Sequence, residues 1–295
     1  MEINNVMVAG SGVLGSQIAF QTAFYGYQVN IYDINDDVLV KAKERINALI
    51  ETYTDYFKDE QKAKEAVTRI TFHSDIEKSV ENIDLVIEAI PEVIDIKKSF
   101  YKELGKMSPE KTIFATNTST LLPSQFAQDT GRPEKFSALH FANDIREKNT
   151  AEVMGHEGTS EGVINLLLDF AESIGMVPLH VKKEHPGYLL NSLLVPFLTA
   201  GQGLWANGIA DPETIDKTWM IATGAPLGPF AILDIVGIET VYNIVKSQVE
   251  ADPTKQPILD ALEKNFIDKG KFGKSSGEGF YKYPNPKYID EDFLK

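Results

Sequence analysis

In the first half of the chain, short apolar runs alternate with longer amphipathic stretches. Ile3–Ala9 and Val29–Asp33 read as strands, the second ending in an acid, and Leu85–Ile90 is an apolar strand running into Glu88-Ala89-Ile90-Pro91. Thr112–Ala115, Phe136–His140, Ala151–Met154 and Val177–Val181 have the same character. Between them, Gln17–Gly26, Val38–Phe57, Asp59–Val67, Lys97–Leu104 and Gly162–Ser173 carry helical periodicity. Strands alternating with helices predict a doubly wound, parallel α/β sheet of the Rossmann type.

The texture changes after Lys183-Glu184-His185-Pro186-Gly187, beyond which helices dominate and strand signals are scarce. Tyr188–Trp205 is long and apolar, with Pro196 expected to bend it. Asp211-Pro212-Glu213 is a helix start, with Asp as N-cap and Pro at the first helical position. Phe230–Glu250 and Pro257–Lys269 are further helices. The pattern predicts a Rossmann domain over 1–184 followed by an all-α domain over 185–295. Helices this apolar favour a partner, so the helical domain is expected to form a homodimer.

Composition narrows the possibilities. The 295 residues allow two domains that each bury a core. A formal net charge of −14 makes nucleic acid and anionic membrane surfaces poor partners. No apolar run approaches the ~20 residues that span a bilayer, and Met1-Glu2-Ile3-Asn4-Asn5 lacks the basic region of a signal peptide. A cytoplasmic location is therefore expected. With no cysteine there is neither a disulfide nor a thiolate metal site, and no metal is expected.

Gly10-Ser11-Gly12-Val13-Leu14-Gly15 has the G-x-G-x-x-G spacing. The first glycine suits a tight turn, the second a close approach to pyrophosphate, and the third close packing of helix on strand. The motif follows a strand and opens a helix, whose N-terminal N–H groups attract phosphate. Asp33, ending the second strand, is placed to accept hydrogen bonds from the adenosine ribose. A carboxylate there repels a 2′-phosphate, and no Arg follows in Ile34-Asn35-Asp36-Asp37, so NAD is expected over NADP.

Of the five histidines, His140 stands apart because it ends a strand, where open α/β sheets build their sites. Glu152 lies on the next strand-like segment. A carboxylate beside an imidazole orients the ring and favours its protonated form, which suits proton transfer on a hydroxyl. An ordinary structural histidine remains the alternative on spacing alone.

Several further runs resemble one family. Leu139-His140-Phe141-Ala142-Asn143 looks like H-F-F-N-P, and Asn117-Thr118-Ser119-Thr120-Leu121 is similar to N-T-S-S-L. Pro186-Gly187-Tyr188-Leu189-Leu190-Asn191 looks like P-G-F-x-x-N-R, and Gly228–Asp234 resembles G-P-L-E-L-x-D. Gly273–Tyr281 resembles G-K-K-T-G-x-G-F-Y. Taken in chain order, after the glycine-rich turn, they resemble the L-3-hydroxyacyl-CoA dehydrogenases of short-chain type along nearly the whole chain. The resemblance implies an NAD-dependent oxidation of a 3-hydroxyacyl-CoA to the 3-oxoacyl-CoA, and its reverse. It implies His140 as general base, Glu152 as its carboxylate partner, Ser119 holding the substrate hydroxyl and Asn191 orienting the substrate carbonyl. It implies Glu92, Lys97, Asn117 and Asn143 as cofactor contacts beside Gly10–Gly15 and Asp33.

Three departures bear on the substrate. The apolar stretch after H-F-F-N-P is replaced by Asp144-Ile145-Arg146-Glu147-Lys148, and the Arg that follows the family's helical Asn is Ser192. The helix that meets coenzyme A in the family is acidic here, Glu51-Thr52-Tyr53-Thr54-Asp55-Tyr56-Phe57-Lys58-Asp59-Glu60. Exposed like charges facing an anionic ligand cost up to ~1 kcal/mol per pair. A dehydrogenase for a free 3-hydroxy acid, of the carnitine or gulonate type, is therefore the competing expectation. An NAD-binding protein without catalysis is the third.

Overall fold

The computed structural model describes residues 2–295 and divides into two compact units, Met1–Leu190 and Asn191–Lys295. The first contains β1 (Asn5–Ala9), α1 (Val13–Phe24), β2 (Gln28–Tyr32), α2 (Asp36–Phe57), α3 (Glu60–Thr68), β3 (Ile70–His73), α4 (Ile76–Ser79) and β4 (Leu85–Glu88). It continues with α5 (Ile94–Met107), β5 (Ile113–Thr116), β6 (Phe136–Phe141), β7 (Thr150–Gly155), α6 (Glu161–Ser173) and β8 (Val177–His180). The strands form one eight-stranded sheet in the order β3-β2-β1-β4-β5-β6-β7-β8.

The central strands are apolar on both faces because both are covered. Val6 and Val8 of β1 pack in one core with Ile18, Phe20 and Phe24 of α1. Met7 and Ala9 point the other way, into a core with Phe100, Tyr101 and Leu104 of α5. β4 and β5 split likewise, with Leu85, Ile87, Ile113 and Ala115 on the first face and Val86 and Phe114 on the second. Each Val, Leu, Ile, Phe or Met among them contributes roughly 1.5–3 kcal/mol when buried, so the double-sided pattern fixes the sheet's place between helix layers. Short polar side chains set the helix starts: Asn35 accepts the N–H of Val38, and Asp59 that of Lys62.

The sheet is not parallel throughout. β6 and β7 run antiparallel, and β8 runs parallel to β7. The intervening loop 142–149 is too short for a parallel crossover, which needs about a dozen residues or more. β3 and the single turn α4, which Asp75 caps through the N–H of Glu77, are further elements that the hydrophobic pattern does not predict.

The second unit is helical: α7 (Leu190–Ala206), α8 (Pro212–Thr223), α9 (Pro229–Val236), α10 (Ile238–Gln248) and α11 (Gln256–Asn265). α8 begins as expected, with the Asp211 side chain accepting the N–H of Thr214 and Pro212 in the first turn. Two expectations are corrected. The helix expected from Tyr188 starts at Leu190, because Gly187 and Tyr188 are left-handed at φ 83° and 55°. The single helix over 230–250 is two, broken at Gly237, whose φ of 96° an α-helix cannot contain.

Two buried carboxylates organise this unit. Asp216 accepts the N–H groups of Phe230 and Ala231 and the hydroxyl of Tyr281. Asp234 accepts those of Phe280 and Tyr281 and the hydroxyl of Tyr283. A Cβ at Gly228 would lie 2.4 Å from Asp216 Cγ, and one at Gly279 2.0 Å from Asp234 Oδ1. The G-P-F-A-I-L-D and G-E-G-F-Y runs therefore meet around these two acids.

Candidate active site

The turn between β1 and α1 shows what each glycine does. Gly10 has φ 96°, and a Cβ there would stand 2.4 Å from the carbonyl oxygen of Ala89. A Cβ on Gly15 would fall 2.0 Å from the carbonyl oxygen of Gly10. Both are required by the protein's own packing. Gly12 is not: its φ is −61°, and a Cβ would meet nothing within 4 Å. That is the position where a bare backbone leaves room for a ligand. Val13 is 65% exposed, Leu14 is half-buried, and the helix they open has no side-chain cap and no acid in its first turn. Its N-terminus is therefore presented as an anion site.

Asp33 follows β2 and is tied to the same turn. Its Oδ2 accepts both the backbone N–H of Ser11, at 2.8 Å, and the Ser11 hydroxyl, at 2.6 Å. Its Oδ1 accepts the N–H of Ile34. Ser11 is itself locked, since its carbonyl receives Arg45 Nη1 and the hydroxyl of Ser16.

The carboxyl ends of β4, β5 and β6 carry the next group. Glu88 is fully buried and accepts from Lys97 Nζ at 2.5 Å, from the hydroxyls of Tyr101 and Thr116, and from the N–H of Ile90. Lys97 Nζ also lies 3.2 Å from Glu92 Oε2. The other Glu92 oxygen collects the Thr118 and Thr120 hydroxyls and the N–H groups of Ser119 and Thr120. Burial pushes the Glu92 carboxyl up, but these bonds and the Lys97 charge outweigh it and hold it below the usual range. Glu92 and Lys97 thus form one network that shapes the loop carrying half-buried Ser119. Asn117 joins that loop to β6, its Oδ1 accepting the N–H of Phe141 next to His140.

His140 and Glu152 are register partners across the β6–β7 pair, so their side chains share one face. Nδ1 of His140 lies 2.9 Å from Glu152 Oε2, and both residues are buried. Glu152 Oε1 accepts the N–H groups of Leu189 and Leu190. Burial raises the Glu152 carboxyl, but bonds from His140, Leu190 and Leu189 more than offset this and lower it overall. An ionised carboxylate only accepts, so Nδ1 carries the proton and Nε2 is the nitrogen left for exchange. One face of the imidazole is covered by the ring of Tyr188, stacked at 4.6 Å between centroids.

Residues 5–185 match the sequence model described as 3-hydroxyacyl-CoA dehydrogenase, NAD binding domain, and residues 187–283 match its C-terminal domain. The chain belongs to the 3-hydroxyacyl-CoA dehydrogenase family. The mitochondrial hydroxyacyl-coenzyme A dehydrogenase of Sus scrofa is 36% identical, over 95% of this chain and 91% of that protein. A probable 3-hydroxybutyryl-CoA dehydrogenase of Bacillus subtilis is 32% identical, over 96% of this chain and 98% of its own length. A solved diketoreductase, whose structure is described as acting on dicarbonyl compounds, is 52% identical with a TM-score of 0.92, covering 96% of this chain and all of that one.

As a member of this dehydrogenase family the chain is an NAD-dependent oxidoreductase, and the open position at Gly12, the uncapped α1 and the pinned Asp33 fit that cofactor. Of the remaining candidates, Asn143 is exposed on the loop after β6. Asn191 is the first residue of the second unit, in the first turn of α7. Sequence reasoning missed Glu88 and Tyr188. Glu88 was visible only as an acid ending an apolar strand, and Tyr188 as one more aromatic after Pro-Gly. No helix among the described residues is long and apolar enough to cross a membrane.

Proposed function

We propose that the protein interconverts a 3-hydroxy carbonyl compound and the matching 3-oxo compound, with His140 and Glu152 as the acid/base pair. The observation that carries this reading is the His140 Nδ1 to Glu152 Oε2 bond at the carboxyl end of β6, beside the loop that bears Ser119. NAD, when bound, supplies the hydride acceptor. Every proton step falls to the chain. In oxidation His140 Nε2 takes the proton of the 3-hydroxyl, and the Glu152 carboxylate stabilises the imidazolium that results. In reduction the same nitrogen returns the proton to the 3-oxo oxygen. Ser119 holds that oxygen by a hydrogen bond, Asn191 orients the neighbouring carbonyl, and Asn117 and Asn143 seat the cofactor's nicotinamide end. The division we propose is cofactor binding in 1–184 and substrate closure and self-association in 185–295. Exposed Leu193, Ile209 and Ile221 support a homodimer, which light scattering would test.

Two substrate forms are supported. The family supports a 3-hydroxyacyl-CoA. The 52% identical diketoreductase and the exposed acids Glu51, Asp55, Asp59 and Glu60 favour a dicarbonyl compound without the CoA phosphates. The test follows NADH absorbance with acetoacetyl-CoA and with uncharged 3-oxo esters, for the native enzyme and His140→Gln. Turnover of at least one substrate and a loss of about a thousandfold in the variant are expected. The ratio of kcat/KM values assigns the substrate. No turnover on a broad 3-oxo panel, or near-native turnover of His140→Gln, would overturn the reading.

A further inference from the structure

We propose that Tyr188 is a positioning residue for the His140 imidazole, and that its ring, held by the strap 185–190, limits the tilt of the acid/base group. The inference rests on the reading of His140 given above. A hydrogen bond at Nδ1 anchors one edge of an imidazole but leaves it able to tilt and to turn about χ2. The Tyr188 ring lies over the imidazole at 4.6 Å with 24° between the planes, and is fully buried. Turning the imidazole would sweep it into that ring. Bond and stack together fix orientation in two directions, which neither does alone.

The backbone around Tyr188 points to a purpose beyond filling space. Tyr188 sits at φ 55°, directly after Gly187 at φ 83°, and a bulky L-residue occupies that region only where its surroundings hold it there. Here they do. Tyr188 N–H donates to the carbonyl of His185, and His185 N–H reaches Met154 Sδ on β7. The next two N–H groups, of Leu189 and Leu190, both donate to Glu152 Oε1. The carboxylate that orients the imidazole thus also anchors the strap that stacks on it. Burial raises the pKa of the Tyr188 hydroxyl, with nearby Glu92 and Glu152 adding to it, so the ring remains a neutral phenol. A plain apolar plug beside Ala138, Met154 and Val181 would need bulk but no planar face.

The two roles separate in the readouts of one aliphatic and one aromatic variant: lost packing lowers the thermal midpoint, whereas a lost flat face lowers kcat. Tyr188→Leu should lower kcat by roughly tenfold to a hundredfold, with NADH affinity, read by fluorescence titration, close to native. Tyr188→Phe should recover kcat to within about threefold of native. If the leucine variant fails to bind NADH and so is misfolded, Tyr188→Met, which fits irregular gaps, replaces it in the comparison. A flat-face variant no better than the aliphatic one, or an aliphatic variant that binds NADH with native kcat, would overturn the proposal. His140→Gln, run alongside, keeps the failures distinct. If it abolishes turnover while the Tyr188 series is flat, only this inference falls. If it retains turnover, the assignment of His140 falls first.

Discussion

Glu152 holds His140 with one oxygen and the backbone after Tyr188 with the other. All three bonds require an acceptor, and a carboxylate supplies two oxygens for them. Glu152→Gln keeps the size but supplies only one acceptor. If the amide oxygen stays with Leu189 and Leu190, its NH2 faces Nδ1 and drives the proton to Nε2, the wrong tautomer for taking a proton from a hydroxyl. Turnover in the oxidation direction should fall by roughly a hundredfold to ten-thousandfold, with NADH binding retained. A rate near that of the native enzyme would mean that the carboxylate has no part in the chemistry.

Ser11 sets the state of Asp33. Its hydroxyl and N–H both converge on Oδ2, leaving Oδ1 with one protein donor, Ile34. Hydrogen bonds to charged groups are worth about 1.5–3 kcal/mol. Ser11→Ala should raise KM for NADH by roughly tenfold. It should also narrow the preference for NADH over NADPH, because a carboxylate held by the backbone N–H groups alone turns more readily from a 2′-phosphate. Specificity constants for the two cofactors measure this. An unchanged KM for NADH would remove Ser11 from cofactor selection.

The glycines of the cradle make a paired prediction. Gly15→Ala places a Cβ 2.0 Å from the Gly10 carbonyl, and overpacking of this kind costs about 1–3 kcal/mol. The thermal midpoint of the protein without cofactor should drop. Gly12→Ala meets open space within the protein, so that midpoint should hold while KM for NADH rises. Equal behaviour of the two variants in both assays would show that the turn does not separate packing from ligand approach.

The first β-α-β turn was legible because its signals are local: a strand, three glycines at fixed spacing and an acid at the end of the next strand all lie within 3–33. The approach of His140 to Glu152 could be anticipated from two strand-like segments, but the antiparallel register that makes them direct partners depends on the loop 142–149. No periodicity reports that. β3 was missed because it is a short edge strand with a polar, half-exposed sequence. The break at Gly237 was missed because apolar spacing continues through it and only its φ reveals the stop. Tyr188 gave no signal, since stacking on an imidazole is a long-range relation that a Pro-Gly-Tyr run does not encode. Glu92 and Lys97 face each other, Glu88 and the Ser119 loop, a network that only the folded ends of β4 and β5 together with α5 can assemble.

Acid should stabilise the second unit, which is the reverse of the usual trend. Burial pushes the Asp234 carboxyl up from 3.8 to about 6, with the Asp216 charge adding to it and bonds from Phe280, Tyr281 and Tyr283 opposing. Asp216 is raised too, again chiefly by burial. A carboxyl with a higher pKa in the folded state binds its proton more tightly there than in the unfolded chain. Stability therefore grows as pH falls from neutral through about 6 toward 3.8. The lowered carboxyls Glu92 and Glu152 work in the opposite sense, but only below their ordinary value of 4.5. Both tryptophans of the chain, Trp205 and Trp219, lie in the second unit, so tryptophan fluorescence follows it alone. The thermal midpoint read this way should be higher at pH 5.5 than at pH 7.5, two values that bracket the Asp234 pKa of about 6. Asp234→Asn, neutral at both values, should lose much of that difference, and because Phe280 and Tyr281 N–H donate to separate oxygens of Asp234 its single oxygen keeps one of those bonds and lowers the midpoint alike at both pH values. A native midpoint that rises with pH across this window, or a variant with the native slope, would show that the charge on Asp234 is well tolerated where it is buried.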